Sequence, residues 1–451
     1  MTPTRTTAHG AGERDPTEHE PHRTNDTDRT TTAIMEATQQ LSRGSLRKAV
    51  KVLESHGIAL PTDEVKEQLK ALHPRASEQF QAEPKFDLPK LVVTNSEIRN
   101  ALKELPRDSA AGISGLTNVH LNKMAGLQEG EMILRRAVEM IINGTCQAVE
   151  ETLACHLIAL KKGKSMRDGV PPVAIGESLT RLAARVAVKK TKFAERFQKL
   201  QFGVSKKNGM ETIIHIAREA YNKGATIMGV DFKNAFNMVD RNAIREELVA
   251  HFPHLLEYFD FAYGKGSPLF FAGELLTTSE SGVRQGDPLA AAFFALALQP
   301  LLEQLDAEFP TLEIMAYMDD VYLVGSQIDT VNAFALLEER AMEIGLSVNR
   351  AKTVMLTPEH AQQISTRMGF SAAAPEGTKQ LTEGTIILGT PVGSPEYEED
   401  QCTKIIEGIR KLHFLRDQPA LTKRARQCST HSQSSHAHHS SMQQDDEHDV
   451  F

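Results

Sequence analysis

A chain of 451 residues with 40% hydrophobic and 24% charged positions has the makeup of a folded globular protein with room for two or three domains. The longest apolar run, Leu289 to Leu302, is interrupted by Gln299 and Pro300 and falls short of a membrane span, so no membrane partner is expected. Cys146, Cys155, Cys402 and Cys428 form no CxxC pair, which argues against a disulfide framework and suits a reducing compartment. With no apolar core near the N-terminus to act as a secretion signal, the sequence reads as intracellular, with nucleus and cytoplasm unresolved.

Residues 1–32 carry only Met1, Ala8 and Ala11 as apolar positions, so a disordered tail is expected there. Over 33–86 the spacing predicts a helical hairpin. Leu46, Ala49, Val50 and Leu53 form one apolar face between Ser45 and Gly57, and Val65, Leu69 and Leu72 form a second between the Thr62 cap and Pro74. From about 87 to 393 helical patterns alternate with short apolar runs, which gives an α+β class. The net charge of −8 is reversed locally: Lys161 to Lys192 holds nine basic residues against Asp168 and Glu177. Arg181, Arg185 and Lys189 recur every four residues and share a helix face, which is ordinarily just a solvated face. The run Ala225 to Val230 predicts a strand ending in Asp231. Leu312 to Tyr317 and Val321 to Val324 predict a hairpin with Asp319 and Asp320 at its tip. After Cys428 the chain is Ser/His-rich and then acidic, so 428–451 reads as a second disordered tail.

Carboxylates gathered on rigid elements suit a hard divalent cation, which takes oxygen ligands. Paired aspartates in a turn are weak evidence alone, but here they belong to an ordered series. The blocks are Ser109-Ala110-Ala111-Gly112-Ile113-Ser114-Gly115-Leu116; Gln201-Phe202-Gly203-Val204 on to Glu211 and His215; and Asp231-Phe232-Lys233-Asn234-Ala235-Phe236-Asn237. They continue with Ser281-Gly282-Val283-Arg284-Gln285-Gly286-Asp287-Pro288-Leu289; Tyr317-Met318-Asp319-Asp320; Gly345 to Thr353; and Ile387-Leu388-Gly389-Thr390-Pro391-Val392-Gly393. In this order they resemble the reverse transcriptases of non-LTR retrotransposons, over roughly residues 40 to 427.

The resemblance implies a right-hand polymerase, with fingers over 87–224, a palm over 225–398 and a truncated helical thumb over 399–427. It implies RNA-directed DNA polymerase activity with an RNA template, a DNA primer and dNTP substrates. Asp231 and Asp319 would be the main ligands of two Mg²⁺ ions (or Mn²⁺), with Asp320 as the third carboxylate. Phe236 would exclude a ribose 2′-hydroxyl. Gln285 and Gly286 would meet the nucleotide and template, with Gly282 and Gly286 allowing the close approach, while Asp287-Pro288 would open a long helix through Leu302. Lys352 would lie near the departing phosphates, Lys161 and Lys162 would help hold the nucleotide, and Arg181, Arg185, Lys189, Gly203 and Gly389 would line the nucleic-acid path. His215 could position template or be structural.

Two departures bear on activity. Pro171 stands where the family has an arginine for the triphosphate, and the helical pattern after Lys404 stops at Arg426. They leave open a catalytically silent remnant that at most binds RNA or template-primer; an RNA polymerase on the same palm is disfavoured by Phe236. No zinc is expected, because His431, His436, His438 and His439 beside Cys428 match no usual ligand spacing. No endonuclease domain is expected before the fingers. The oligomeric state is unresolved, and Lys423 to Arg426 reads equally as nuclear signal or helix face.

Overall fold

Within the residues that the computed structural model describes (57–76, 88–106, 109–161, 170–197, 199–204, 206–367 and 372–416), the strands fall into three sheets. In chain order they are β1 (Cys155–Ala159), β2 (Pro172–Gly176), β3 (Thr226–Val230), β4 (Ser267–Phe271), β5 (Glu274–Ser279), β6 (Glu313–Tyr317), β7 (Asp320–Gly325), β8 (Val354–Leu356), β9 (Lys379–Leu381), β10 (Gly384–Ile387) and β11 (Thr390–Gly393). The five-stranded sheet runs β6-β7-β3-β8-β9, the four-stranded sheet β2-β1-β4-β5, and β10 and β11 form a hairpin. The class is α+β as expected, with mixed sheets: β1 lies parallel to β4 and β8 parallel to β9, and the other pairs are antiparallel. His56–Ile405 makes one compact unit. Among the described residues no helix is long and apolar enough to cross a membrane.

β3 is central because Ile227, Met228 and Val230 are buried and both of its edges are paired, to β7 and to β8. Its register matches Val230 with Val321, so the next step along the chain sets Asp231 beside the β6–β7 turn. Under this sheet lies the helix Ala290–Glu308, buried at Phe293, Phe294, Leu296, Leu298, Leu302 and Leu305, with Glu303 and Glu308 exposed. It starts later and runs further than the sequence indicated. Leu289 occupies the N-cap position, while the Asp287 carboxylate accepts from Leu289 N at 2.9 Å. Pro300 sits inside the helix at an exposed position, and the buried apolar residues on the helix's other side outweigh the backbone hydrogen bond it lacks.

The four-stranded sheet is completed from far upstream. Ala59 N donates to Ala159 O at 2.8 Å and Lys161 N to Gly57 O at 2.9 Å. The helix Asp63–Ala71, capped by Thr62 as expected, packs Val65 and Leu69 against Leu157, Ala159, Leu269 and Phe271. Leu72 is only half-buried and ends that helix. The other predicted helix of the N-terminal pair, both tails, Lys423 to Arg426 and Lys162 lie outside the described residues. The helix expected after Lys404 is described as Pro395–Arg416. β4 and β5 join β1 across the boundary expected at residues 224/225.

Beneath the loop 281–289 is a buried polar cluster. Arg284, 5% exposed, donates to Ala262 O at 2.9 Å and to Ser267 Oγ at 2.7 Å, with its guanidinium over the Tyr263 ring. Asp287 accepts from Tyr263 Oη at 2.6 Å and lies 3.8 Å from Arg284. Arg241 donates to Gly282 O, Tyr263 O and Ser279 O. Desolvation, then the neighbouring Arg284 charge, pulls Arg241 down to about 10, so it stays protonated. Arg284→Met leaves the Asp287 carboxylate uncompensated and is expected to cost about 3–5 kcal/mol in urea denaturation. Adding Asp287→Asn should recover part of that loss.

Candidate active site

The β6–β7 hairpin closes through two residues, Met318 and Asp319, with Tyr317 paired to Asp320. Met318 has φ +58°, a positive value that two-residue hairpins usually give to glycine. The tip is braced from behind by Gly203, where a methyl group would come within 2.9 Å of Met318 N. Asp231 leaves β3 and is held by its backbone: Asn349 N donates to Asp231 O at 2.7 Å, and Lys233 N to Ser347 O at 2.9 Å. The segment carrying Asn349 and Lys352 is thereby fastened to the end of β3.

Asp231 faces two cavities. With Asp319 it lines an open cleft of about 630 Å³, together with Phe236, Gln285, Lys233, Lys352, Pro171 and Gln68. With Asp320 it lines a smaller one of about 120 Å³, bounded by Tyr322, Thr385 and Ile386. Asp319 belongs to the turn and Asp320 begins β7, and the two carboxylates line different cavities. The expected trio is thus brought together two by two, and among the described residues no group of three acidic, His or Cys side chains has metal-ligand spacing.

Electrostatics supply the fit for a cation. Asp231 Oδ2 is buried and accepts no hydrogen bond; Lys352 Nζ stands 3.7 Å away. Desolvation, then the Asp319 and Asp231 charges, push Asp320 up to about 6. Desolvated, mutually repelling carboxylate oxygens of this kind are the donor set a hard divalent ion takes.

The loop 231–237 forms one side of the cleft. Phe236 stacks on Phe294 with ring centres 4.9 Å apart. Asn234 adopts φ +50°, accepts from Asn237 Nδ2 and donates to Leu72 O at 2.7 Å. Opposite, Gln285 and Gly286 are exposed while Arg284 is buried. The glycines of that loop approach protein backbone: a methyl at Gly282 would meet Phe236 O at 2.2 Å, and one at Gly286 would meet Ala174 O at 2.1 Å. Val283 N donates to Phe236 O and Ala174 N to Gln285 O. Close approach was expected here, but toward primer, template or nucleotide; these contacts are with neighbouring chain segments.

Other residues singled out in the sequence lie further off. The stripe Arg181, Arg185 and Lys189 does share one face of the helix Ser178–Lys190, but each member has a protein partner. Arg181 donates to Ser109 Oγ and Ala110 O at 2.6 Å, Arg185 lies 3.8 Å from Glu104, and Lys189 pairs with Glu104. The block Ser109–Leu116 is docked on the same helix, with Ser114 N donating to Glu177 at 2.8 Å and Ser178 Oγ to Leu116 O at 2.6 Å. Lys161 is half-buried and His215 exposed. Gly389, at φ +78°, follows Leu388 at φ +47° in the β10–β11 turn, and a methyl group there would meet nothing within 4 Å. The type of turn, with two successive positive φ values, asks for that glycine. Gln68, Lys233 and Asn234 carried no assigned role in the sequence; their meeting in one cleft depends on contacts between distant segments.

A carboxyl pushed up to about 6 from its unfolded value near 4 binds extra protons only when folded. Its ionisation therefore removes stability as pH rises through that window. Asp320→Asn should raise the melting temperature of metal-free protein at pH 8 by about 2 °C or more and leave it unchanged at pH 4. In the same thermal-shift measurement Mg²⁺ should stabilise the wild type at pH 8, and Asp231→Asn far less.

Comparison with known proteins gives this geometry a lineage. A family model described as "Reverse transcriptase (RNA-dependent DNA polymerase)" matches residues 160–391. That span is half of the chain and includes Asp231, Phe236, Gln285, Asp319, Asp320, Lys352 and Gly389. The retrotransposable element SLACS 132 kDa protein of Trypanosoma brucei gambiense is 27% identical over 285 residues, covering 60% of this chain and 24% of that protein. The chain thus spans about a quarter of the length of that relative. On the extent of the family match, the chain belongs to the reverse transcriptases, the RNA-dependent DNA polymerase family.

Proposed function

We propose that this chain is the polymerase of a non-LTR retrotransposable element, extending a DNA primer on an RNA template from deoxynucleoside triphosphates. One observation carries this: Asp231 and Asp319 line the same cleft as Phe236, Gln285 and Lys352. The five-stranded sheet and its helices would be the palm (225–398), the elements over 87–224 the fingers, and the helix from Pro395 the start of a thumb.

In this reaction the primer 3′-oxygen forms a bond to the α-phosphorus, the α–β phosphoanhydride bond breaks, and pyrophosphate leaves. Asp231 and Asp319 would hold two Mg²⁺ ions, with Asp320 as the third carboxylate. Bound Mg²⁺ supplies charge neutralisation to the attacking and leaving oxygens. Phe236, stacked on Phe294 and so unable to swing away easily, closes the space a 2′-hydroxyl would need. Lys352, 55% exposed and 3.7 Å from Asp231, can give a proton or its charge to the pyrophosphate. Gln285 meets the nascent base pair, and the β10–β11 hairpin holds the primer strand. Leu388 packs against the apolar cluster that holds Tyr322, which links that hairpin to the strand carrying Asp320.

A second reading, a silent remnant that at most binds template-primer, draws on Pro171. This residue lines the cleft and offers a phosphate none of the donors that arginine would. Primer extension on poly(rA)/oligo(dT) with dTTP and Mg²⁺ decides between them. The wild type should extend, and Asp319→Ala should lose roughly 10³-fold or more. Silence from the wild type with extension by Pro171→Arg would establish the second reading. Phe236→Ala should raise ribonucleotide use by about 10–100-fold. Gly203→Ala, by pushing on Met318 N, should cut extension at least about tenfold while circular dichroism stays native.

A further inference from the structure

The family match begins at residue 160, yet the cleft has a wall made about ninety residues earlier in the chain. Gln68, Ala71 and Leu72, on one face of the helix Asp63–Ala71 and its C-cap, line it beside Asp231, Lys233, Asn234 and Phe236. This is no loose neighbour. Val65 and Leu69 on the adjoining face are buried to 1% and 0%, residues 57–59 are tied to the end of β1, and Asn234 Nδ2 donates to Leu72 O at 2.7 Å.

We infer that this helix is the outer wall of the nucleotide site and that Gln68 contacts the triphosphate of the incoming nucleotide. The inference rests on the polymerase reading given above. The Asn234 bond fastens the helix to the loop three residues beyond the metal-binding Asp231. Gln68 lines the same cleft as Asp231 and Lys233, into which phosphates would be drawn by ions on Asp231. Its half-buried amide makes no side-chain hydrogen bond among the described residues, so its donors are free for a phosphate oxygen. Two other polar side chains of the cleft are more committed: Lys352 faces Asp231, and Asn234 is used by Leu72 and Asn237. Asn234 is a positioning residue here, acting through the helix it holds.

The test is equilibrium binding of dTTP, with Mg²⁺, to full-length protein on poly(rA) carrying a dideoxy-terminated oligo(dT) primer, so that binding is read without turnover. Charge at position 68 should grade the affinity: Gln68→Glu weakens dTTP binding about tenfold, Gln68→Ala by less, and Gln68→Lys matches or exceeds the wild type. Asn234→Asp, which cannot donate to Leu72 O, should weaken dTTP binding like Gln68→Ala, while kcat at saturating dTTP falls little. Equal dissociation constants for Gln68→Glu and Gln68→Lys, with normal extension by the wild type, would overturn the role of Gln68 and leave the polymerase reading intact. Failure of the wild type to bind dTTP at all would overturn the polymerase reading, and this inference with it.

Discussion

Repulsion between aspartates is the constraint around which this molecule is arranged. Asp231, Asp319 and Asp320 are drawn close enough that two of them raise the pKa of the third, and close carboxylates separate unless something holds them. The holding is done by backbone. β3 is locked between β7 and β8, the Met318 turn is braced by Gly203, and the segment 347–353 is bonded to the loop that leaves β3. Strain and repulsion gathered where the rest of the fold over-determines the geometry suit the ion site proposed above.

The second loop of the site is governed by buried charge. Arg241 and Arg284 donate together to carbonyls at Ala262, Tyr263, Ser279 and Gly282, and so fix the path of the chain on both sides of Gln285. A loop held from beneath by arginines can present an exposed glutamine to a cleft without ordering it anew for each substrate, which saves conformational entropy at binding. The glycines complete the arrangement by letting this loop touch the Phe236 and Ala174 backbones directly.

Those parts of the site that depend on local pattern were legible in the sequence. An apolar run ending in Asp231 and two runs bracketing Asp319-Asp320 could hardly be anything other than a buried strand and a hairpin. Thr62, Val65 and Leu69 gave away their helix by capping and spacing. Arg284 was conspicuous, but its partners at 262, 263 and 267 are joined to it only by tertiary packing, and no periodicity records that. The basic stripe of Arg181, Arg185 and Lys189 had its face identified correctly; what spacing could not convey is that Glu104 and the Ser109 block would lie against it. Gln68 was invisible for the same reason, since a lone glutamine on a helix becomes a cleft residue only through the bond between Asn234 and Leu72.

The upstream segment also bears on how this protein can be handled in pieces. β1 is the shared neighbour of β2 and β4, and it ends at Ala159, one residue before the span that defines the family. A fragment trimmed to 160–391 would leave those two strands with open edges and uncover Leu269 and Phe271, which Val65 and Leu69 now pack against. Bare strand edges next to apolar surface recruit other chains. Such a fragment would be prone to precipitate on expression, whereas one begun before Gly57 would carry its own edge protection.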